Sequence, residues 1–84
     1  GLVDLVFPPE TLMEEALKMA ERIANMPPLA LRFAKKAINL AQDVSLDAGL
    51  MFEEAASTFC MGTADKREAI ASLLEKRPPN FQGR

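Results

Sequence analysis

All six prolines of the chain occur as adjacent pairs, Pro8-Pro9, Pro27-Pro28 and Pro78-Pro79. A Pro pair removes two backbone N–H donors and drives the preceding residue out of the α region. No regular element can run through such a pair, so each one marks a boundary. The chain is thereby cut into a short N-terminal stretch, two segments that hold all remaining elements, and a tail. With 84 residues in total, this leaves room for short elements and one small domain at most.

Ahead of the first pair, Leu2-Val3-Asp4-Leu5-Val6-Phe7 is apolar at five of six positions and reads as a short buried strand. No other segment reads as a strand, and one strand cannot make a sheet. The remaining segments carry helical periodicity. A first helix is expected from about Leu12 to Asn25, opened by a Thr11/Glu14 capping box. Leu12, Ala16, Met19, Ala20 and Ile23 lie on its apolar face, and Glu14 and Lys18 form an i,i+4 ion pair. A second helix starts with Pro28 in its first turn and ends near Gln42-Asp43, with Ala30, Phe33, Ala34, Ala37, Ile38 and Ala41 on one face. Its alanines suit close helix–helix approach. A third runs from an N-cap at Ser45 to about Cys60, apolar on more than one side, with Gly62 as terminator. A fourth opens at Asp65, with Glu68 completing a second capping box. Its buried stripe is Ala69, Ile70, Leu73 and Leu74. Lys76 and Arg77 close it, and Asn80–Arg84 forms a tail with Phe81 as its aromatic anchor. The fold class expected is all-α: about four helices after one orphan strand.

Composition excludes several chemistries. The chain has no His and one Cys, so it holds no Ser-His-Asp triad, Cys-His pair, zinc-finger ligand set or internal disulfide. Ten basic against twelve acidic residues leave no concentrated basic face for nucleic acid. No run approaches the roughly 20 apolar residues of a membrane span. Glu14-Glu15 and Glu53-Glu54 are adjacent on helices and point about 100° apart. They read as solvated surface, with structural ion pairing at Glu53 or Glu54. Cys60, beside Phe59, reads as a small core hydrophobe, and the five methionines as filler or interface. Lys76-Arg77 has two readings: cations at a helix C-terminus, or a phosphate contact with Lys as point charge and Arg as fork. From the residues alone, no catalytic set emerges, and a self-contained helical protein–protein interaction module is an open alternative to an enzyme segment.

A series of short motifs runs through the chain in order: Gly1-Leu2-Val3, a Pro pair, Ala24-Asn25 with Pro27-Pro28, Lys36-Ala37-Ile38-Asn39, Leu46 with Gly49-Leu50 and Glu53. Thr63-x-Asp65-x-x-Glu68, Leu74-Glu75-Lys76-Arg77-Pro78 and Phe81-Gln82-Gly83 follow. This series resembles the C-terminal third of the enoyl-CoA hydratase/isomerase (crotonase) family, across essentially all 84 residues. The resemblance implies a longer parent whose N-terminal ββα spiral carries the oxyanion hole and the catalytic Glu pair. Residues 1–9 would then end that spiral domain, and residues 10–84 would be a C-terminal helical trimerisation domain. None of Glu14, Glu15, Glu53 or Glu54 would be catalytic. The parent would be a lyase, an enoyl-CoA hydratase adding water to a 2-enoyl-CoA, with coenzyme A thioester as substrate and no further cofactor or metal. The expected partners are the acyl-CoA and further copies of the chain, as a trimer or dimer of trimers, with no nucleic acid and no membrane. The expected compartment is the cytoplasm, or the mitochondrial matrix in a eukaryote. By the same resemblance, Lys76 is the CoA-phosphate contact. Leu73, where the family often has Phe, takes the adjacent CoA-binding position. Ala69 stands where the family usually has Gly, a change that favours helix by about 1 kcal/mol.

Overall fold

The computed structural model describes all residues, Gly1–Arg84. Four helices follow one another: α1 (Pro9–Ala24), α2 (Pro28–Leu40), α3 (Leu46–Met61) and α4 (Ala64–Glu75). The helical class and element order agree with the sequence. The strand expected at Leu2–Phe7 does not form. No second strand exists to complete its hydrogen bonds, so the segment remains irregular, with Leu2 fully exposed and Val6 84% exposed.

The helix ends show which local signals prevailed. α1 starts three residues earlier than the Thr11/Glu14 box suggested, with Pro9 in its first turn and no side-chain cap. Proline presets the helical φ and lacks the N–H that would need capping. The Thr11 hydroxyl instead donates to the Pro8 carbonyl at 3.3 Å. α2 begins at Pro28 as expected but stops at Leu40, where the Asp43 N–H turns back to the Leu40 carbonyl. Ser45 caps α3 by accepting from Ala48 N–H, and Gly62 ends that helix in a right-handed conformation. The capping box expected at Asp65 and Glu68 is absent. Thr63 caps α4, accepting from Lys66 N–H at 3.1 Å while its hydroxyl donates to Cys60 O at 2.7 Å. A threonine immediately after Gly62 reaches the first free amides before Asp65 can, which releases both carboxylates for other partners.

The main helix–helix contact joins α2 and α3. Phe33 packs on Phe52 and edge-on against Phe59, with ring centroids 6.4 and 5.4 Å apart. The Lys36 ammonium lies 6.0 Å from the Phe52 centroid. Beside this cluster runs a groove of 410 Å³ formed by Ala30, Ala34 and Ala37 of α2 and Ala56 and Cys60 of α3. Small side chains on both helices allow the approach but do not fill it. No apolar residue is fully buried. The stripe expected to be buried on α4 is open: Ile70 is 48%, Leu73 78% and Leu74 77% exposed. Nothing in this chain packs on that face, so its periodicity marks a surface without a cover.

The dimensions agree. The radius of gyration is 16.0 Å and the extents are 43 × 40 × 17 Å, against about 12 Å for a globular chain of this length. The accessible surface is 7242 Å², where a folded monomer of this mass exposes about 4,900 Å². The chain is a plate with apolar faces turned outward.

Candidate functional site

The only two buried residues are polar, and both belong to α4: Asp65 and Ser72. Asp65 stands at the helix start, and its carboxylate oxygens accept the backbone N–H groups of Gln82 and Gly83 at 2.7 and 2.8 Å. Its own N–H donates to the Arg84 carbonyl at 3.0 Å. The tail therefore crosses back over the first turn of α4. Gly83 makes this passage possible. Its φ is +72°, and a Cβ there would lie 3.6 Å from the Pro28 ring. Phe81 and the last Pro pair line a cleft with Ala24, Asn25 and Pro28, so the same tail reaches the α1–α2 junction.

The other end of α4 is closed by Lys76, the sole non-glycine residue with positive φ, at φ 53° and ψ 41°. The Lys76 N–H donates to Leu73 O at 3.3 Å and the Arg77 N–H to Ser72 O at 3.0 Å. This paired return to the last turn is the left-handed closure usually taken by glycine. A side chain in that conformation costs about 1 kcal/mol. The buried Ser72 hydroxyl donates to Ala69 O at 3.0 Å.

Arg77 turns inward along the helix. Its guanidinium forks onto both oxygens of Glu68, with Nη2 3.0 Å from Oε2. It also bonds Glu75 through Nε and the Pro78 carbonyl through Nη1. Glu68 Oε1 additionally accepts the Asn80 N–H at 2.8 Å. The Arg77 hydrogen bonds, and after them the Asn80 amide, hold the Glu68 carboxyl at about 2, well below its ordinary 4.5. Glu68 and Glu75 push the Arg77 guanidinium in the opposite direction, upward. The fork read from sequence as a possible phosphate clamp is thus already filled by Glu68. Lys76 makes neither a side-chain hydrogen bond nor an ion pair and is exposed. It is the free cation of the pair. Leu73, one turn earlier on α4, presents an open apolar side chain. Together they offer an ammonium and an apolar surface at one helix end, a combination suited to an anionic group carried on a flat or apolar body.

The other candidate residues do not converge on a site. Glu14 and Glu15 share the Lys18 ammonium at 2.7 and 2.8 Å. These two hydrogen bonds, Glu14 first, raise the Lys18 pKa. Glu53 and Glu54 are exposed and make no ion pair, which corrects the pairing expected for them. Helix α3 presents no cation on their side. Cys60 is half-buried in the α2–α3 groove rather than enclosed in a core. No group of three metal-ligating side chains gathers anywhere, and no helix is long and apolar enough to cross a membrane. Local sequence reasoning missed the roles of Asp65 and Glu68. Both sit in the Thr63-x-Asp65-x-x-Glu68 motif, and the pairing signal was the glycine that lets a distant tail approach.

The family model for enoyl-CoA hydratase/isomerase matches residues 1–84. The chain is 44% identical over 84 residues to the 2,3-dehydroadipyl-CoA hydratase of Escherichia coli K12, covering all of this chain and 33% of that protein. It is 38% identical over 81 residues to the crotonyl-CoA hydratase of Syntrophomonas wolfei, covering 96% of this chain and 31% of that one. Among solved structures, an enoyl-CoA hydratase from Bacillus anthracis superposes with a TM-score of 0.91 at 39% identity, over 100% of this chain and 33% of that chain. The chain spans about a third of the length of the curated relatives it matches.

Proposed function

The chain belongs to the enoyl-CoA hydratase/isomerase family, and from that premise we propose that it is the C-terminal helical part of an acyl-CoA enzyme that adds water to a 2-enoyl-CoA. The relatives' hydratase names support the reaction class. In this reading the reacting atoms belong to the rest of the protein. There, hydrogen-bond donors stabilise the enolate that develops at the thioester carbonyl, and carboxylates activate water and deliver the proton. This segment contributes packing, subunit contacts and one ligand contact. Residues 1–9 lead out of the preceding domain, and residues 10–84 form the helical domain through which copies associate as trimers. The excess of about 2,300 Å² over a globular monomer is of the size hidden in obligate interfaces, which supports covered rather than solvated faces. A reducing, CoA-containing compartment, cytoplasm or mitochondrial matrix, suits the lone thiol of Cys60.

The observation that carries the ligand assignment is the unpaired ammonium of Lys76 on a closed helix end, with the exposed Leu73 three residues earlier on the same helix. We assign Lys76 to the phosphates of the CoA nucleotide and Leu73 to the apolar surface adjoining them. Lysine acts on phosphate as a point charge and needs no fork geometry. In the complete enzyme, Lys76→Ala is expected to raise KM for a CoA thioester about tenfold, the scale of one charge-assisted contact, with kcat nearly unchanged. The matching pantetheine thioester, which lacks the nucleotide, should show no change. An unaltered KM for the CoA thioester, or equal losses on both substrates, would reject the assignment.

A further inference from the structure

A lysine occupies the one position of α4 where glycine would be easier, and four separate contacts hold it there. The Arg77 N–H returns to Ser72 O, and the Lys76 N–H to Leu73 O. The Arg77 side chain is anchored nine residues back on Glu68. Glu68 in turn takes the Asn80 N–H beyond the Pro pair. Lys76 therefore lies between the helix that carries Glu68 and the following segment, Arg77 to Asn80, that is clamped to that carboxylate at two points. Strained, non-glycine left-handed residues persist when their surroundings over-determine them, and they concentrate at ligand sites.

The arrangement also sorts charge. Glu68 and Glu75 both take the Arg77 guanidinium, so that cation is spoken for and each carboxylate has a partner other than Lys76. Lys76 is left as the one unpaired cation of the turn. From these contacts we propose that Glu68 and Arg77 are a positioning pair for Lys76, fixing the left-handed turn from which its ammonium meets the phosphate-bearing end of the CoA thioester. This deepens the ligand assignment above and rests on it. Neither Glu68 nor Arg77 touches substrate in this scheme.

The test is steady-state kinetics of the complete enzyme with a CoA thioester and the corresponding pantetheine thioester. Arg77→Met, and the charge-neutral double variant Glu68→Gln/Arg77→Met, should each raise KM for the CoA thioester about tenfold, the scale of the Lys76 contact itself. Both should leave kcat and the pantetheine KM in place. Adding Lys76→Ala should bring no further loss, because all three residues serve one contact. Lys76→Gly should show the same KM increase with a melting temperature at or above that of the parent, since the strain is relieved while the ammonium is lost. Equal losses on both substrates, or a lowered kcat, would make the pair merely structural and overturn the proposal. A loss that multiplies with that of Lys76→Ala would show an independent contact and also overturn it. A tenfold effect of Lys76→Ala with normal KM in both Arg77 variants would sink the pair while leaving the Lys76 assignment standing. A normal KM in Lys76→Ala would remove both. If Arg77→Met does not accumulate, Glu68→Gln alone and Lys76→Gly carry the same comparison.

Discussion

The two ends of this chain are held by different physics. Around α4, the polar groups are satisfied within the chain. Asp65 takes two tail amides, Glu68 takes Arg77 and Asn80, and no buried side-chain polar atom lacks a partner. Around α1, no residue is buried, and Leu12, Met13, Leu17 and Ile23 are each more than half exposed. Hydrogen bonds are directional and can close over a few residues, whereas apolar burial requires area from another layer. The polar contacts of the α4 end are therefore closed within the chain, whereas the apolar faces, that of α1 and the Ile70-Leu73-Leu74 stripe alike, stand uncovered.

The largest effect that could break this contrast is a charge on the open face. Ile23→Asp should leave the helix content of the 84-residue chain unchanged, because the site is already wet. In the complete protein it should cost about 3 kcal/mol or more, from an unpaired charge forced under a covering layer. Thermal melts of both forms check this, and an equal, small effect in the complete protein would show that α1 is a solvent-facing helix. Next in size is Asp65→Ala. Removing the carboxylate strands the Gln82 and Gly83 amides, and hydrogen bonds to charged groups contribute about 1.5–3 kcal/mol. Amide exchange at those two positions should accelerate about 30-fold, equivalent to about 2 kcal/mol, while α1 amides do not respond. Acid gives the smallest effect. Because the folded pKa of Glu68 lies near 2 and its ordinary value is 4.5, its contribution is complete above about pH 4.5. It is lost as pH falls through the folded value. A side-chain carboxyl NMR titration should place the Glu68 midpoint near 2, and a midpoint near 4.5 would mean that the Arg77 fork is open in solution.

The same contrast explains what could be read from the sequence. Helices, their order and the Pro28, Ser45 and Gly62 boundaries depend on neighbouring residues, and those were legible. The Thr11/Glu14 and Asp65/Glu68 boxes were legible as patterns but misleading. Pro9 and Thr63 met the same capping need first, and the freed carboxylates of Asp65 and Glu68 bonded groups 9 to 18 residues away. Leu2–Phe7 and the Ile70-Leu73-Leu74 stripe carry patterns that find no partner within the chain, so no local argument could decide their burial. At the candidate site, the placing of Leu73 and Lys76 in and at the end of the last helix was legible. The left-handed turn at Lys76 was not, because no glycine marks it, nor was the filled fork of Arg77, whose partner Glu68 stands nine residues away.

The central claim is that these 84 residues are one packing layer of a larger assembly. Small-angle scattering combined with sedimentation and a thermal melt on the isolated chain tests it most directly. The account predicts self-association, or an expanded particle near the 16.0 Å radius, without a sharp cooperative transition. A monomer of 9.2 kDa with a radius of gyration near 12 Å and a single cooperative melt would contradict it, and would establish a self-contained helical module instead.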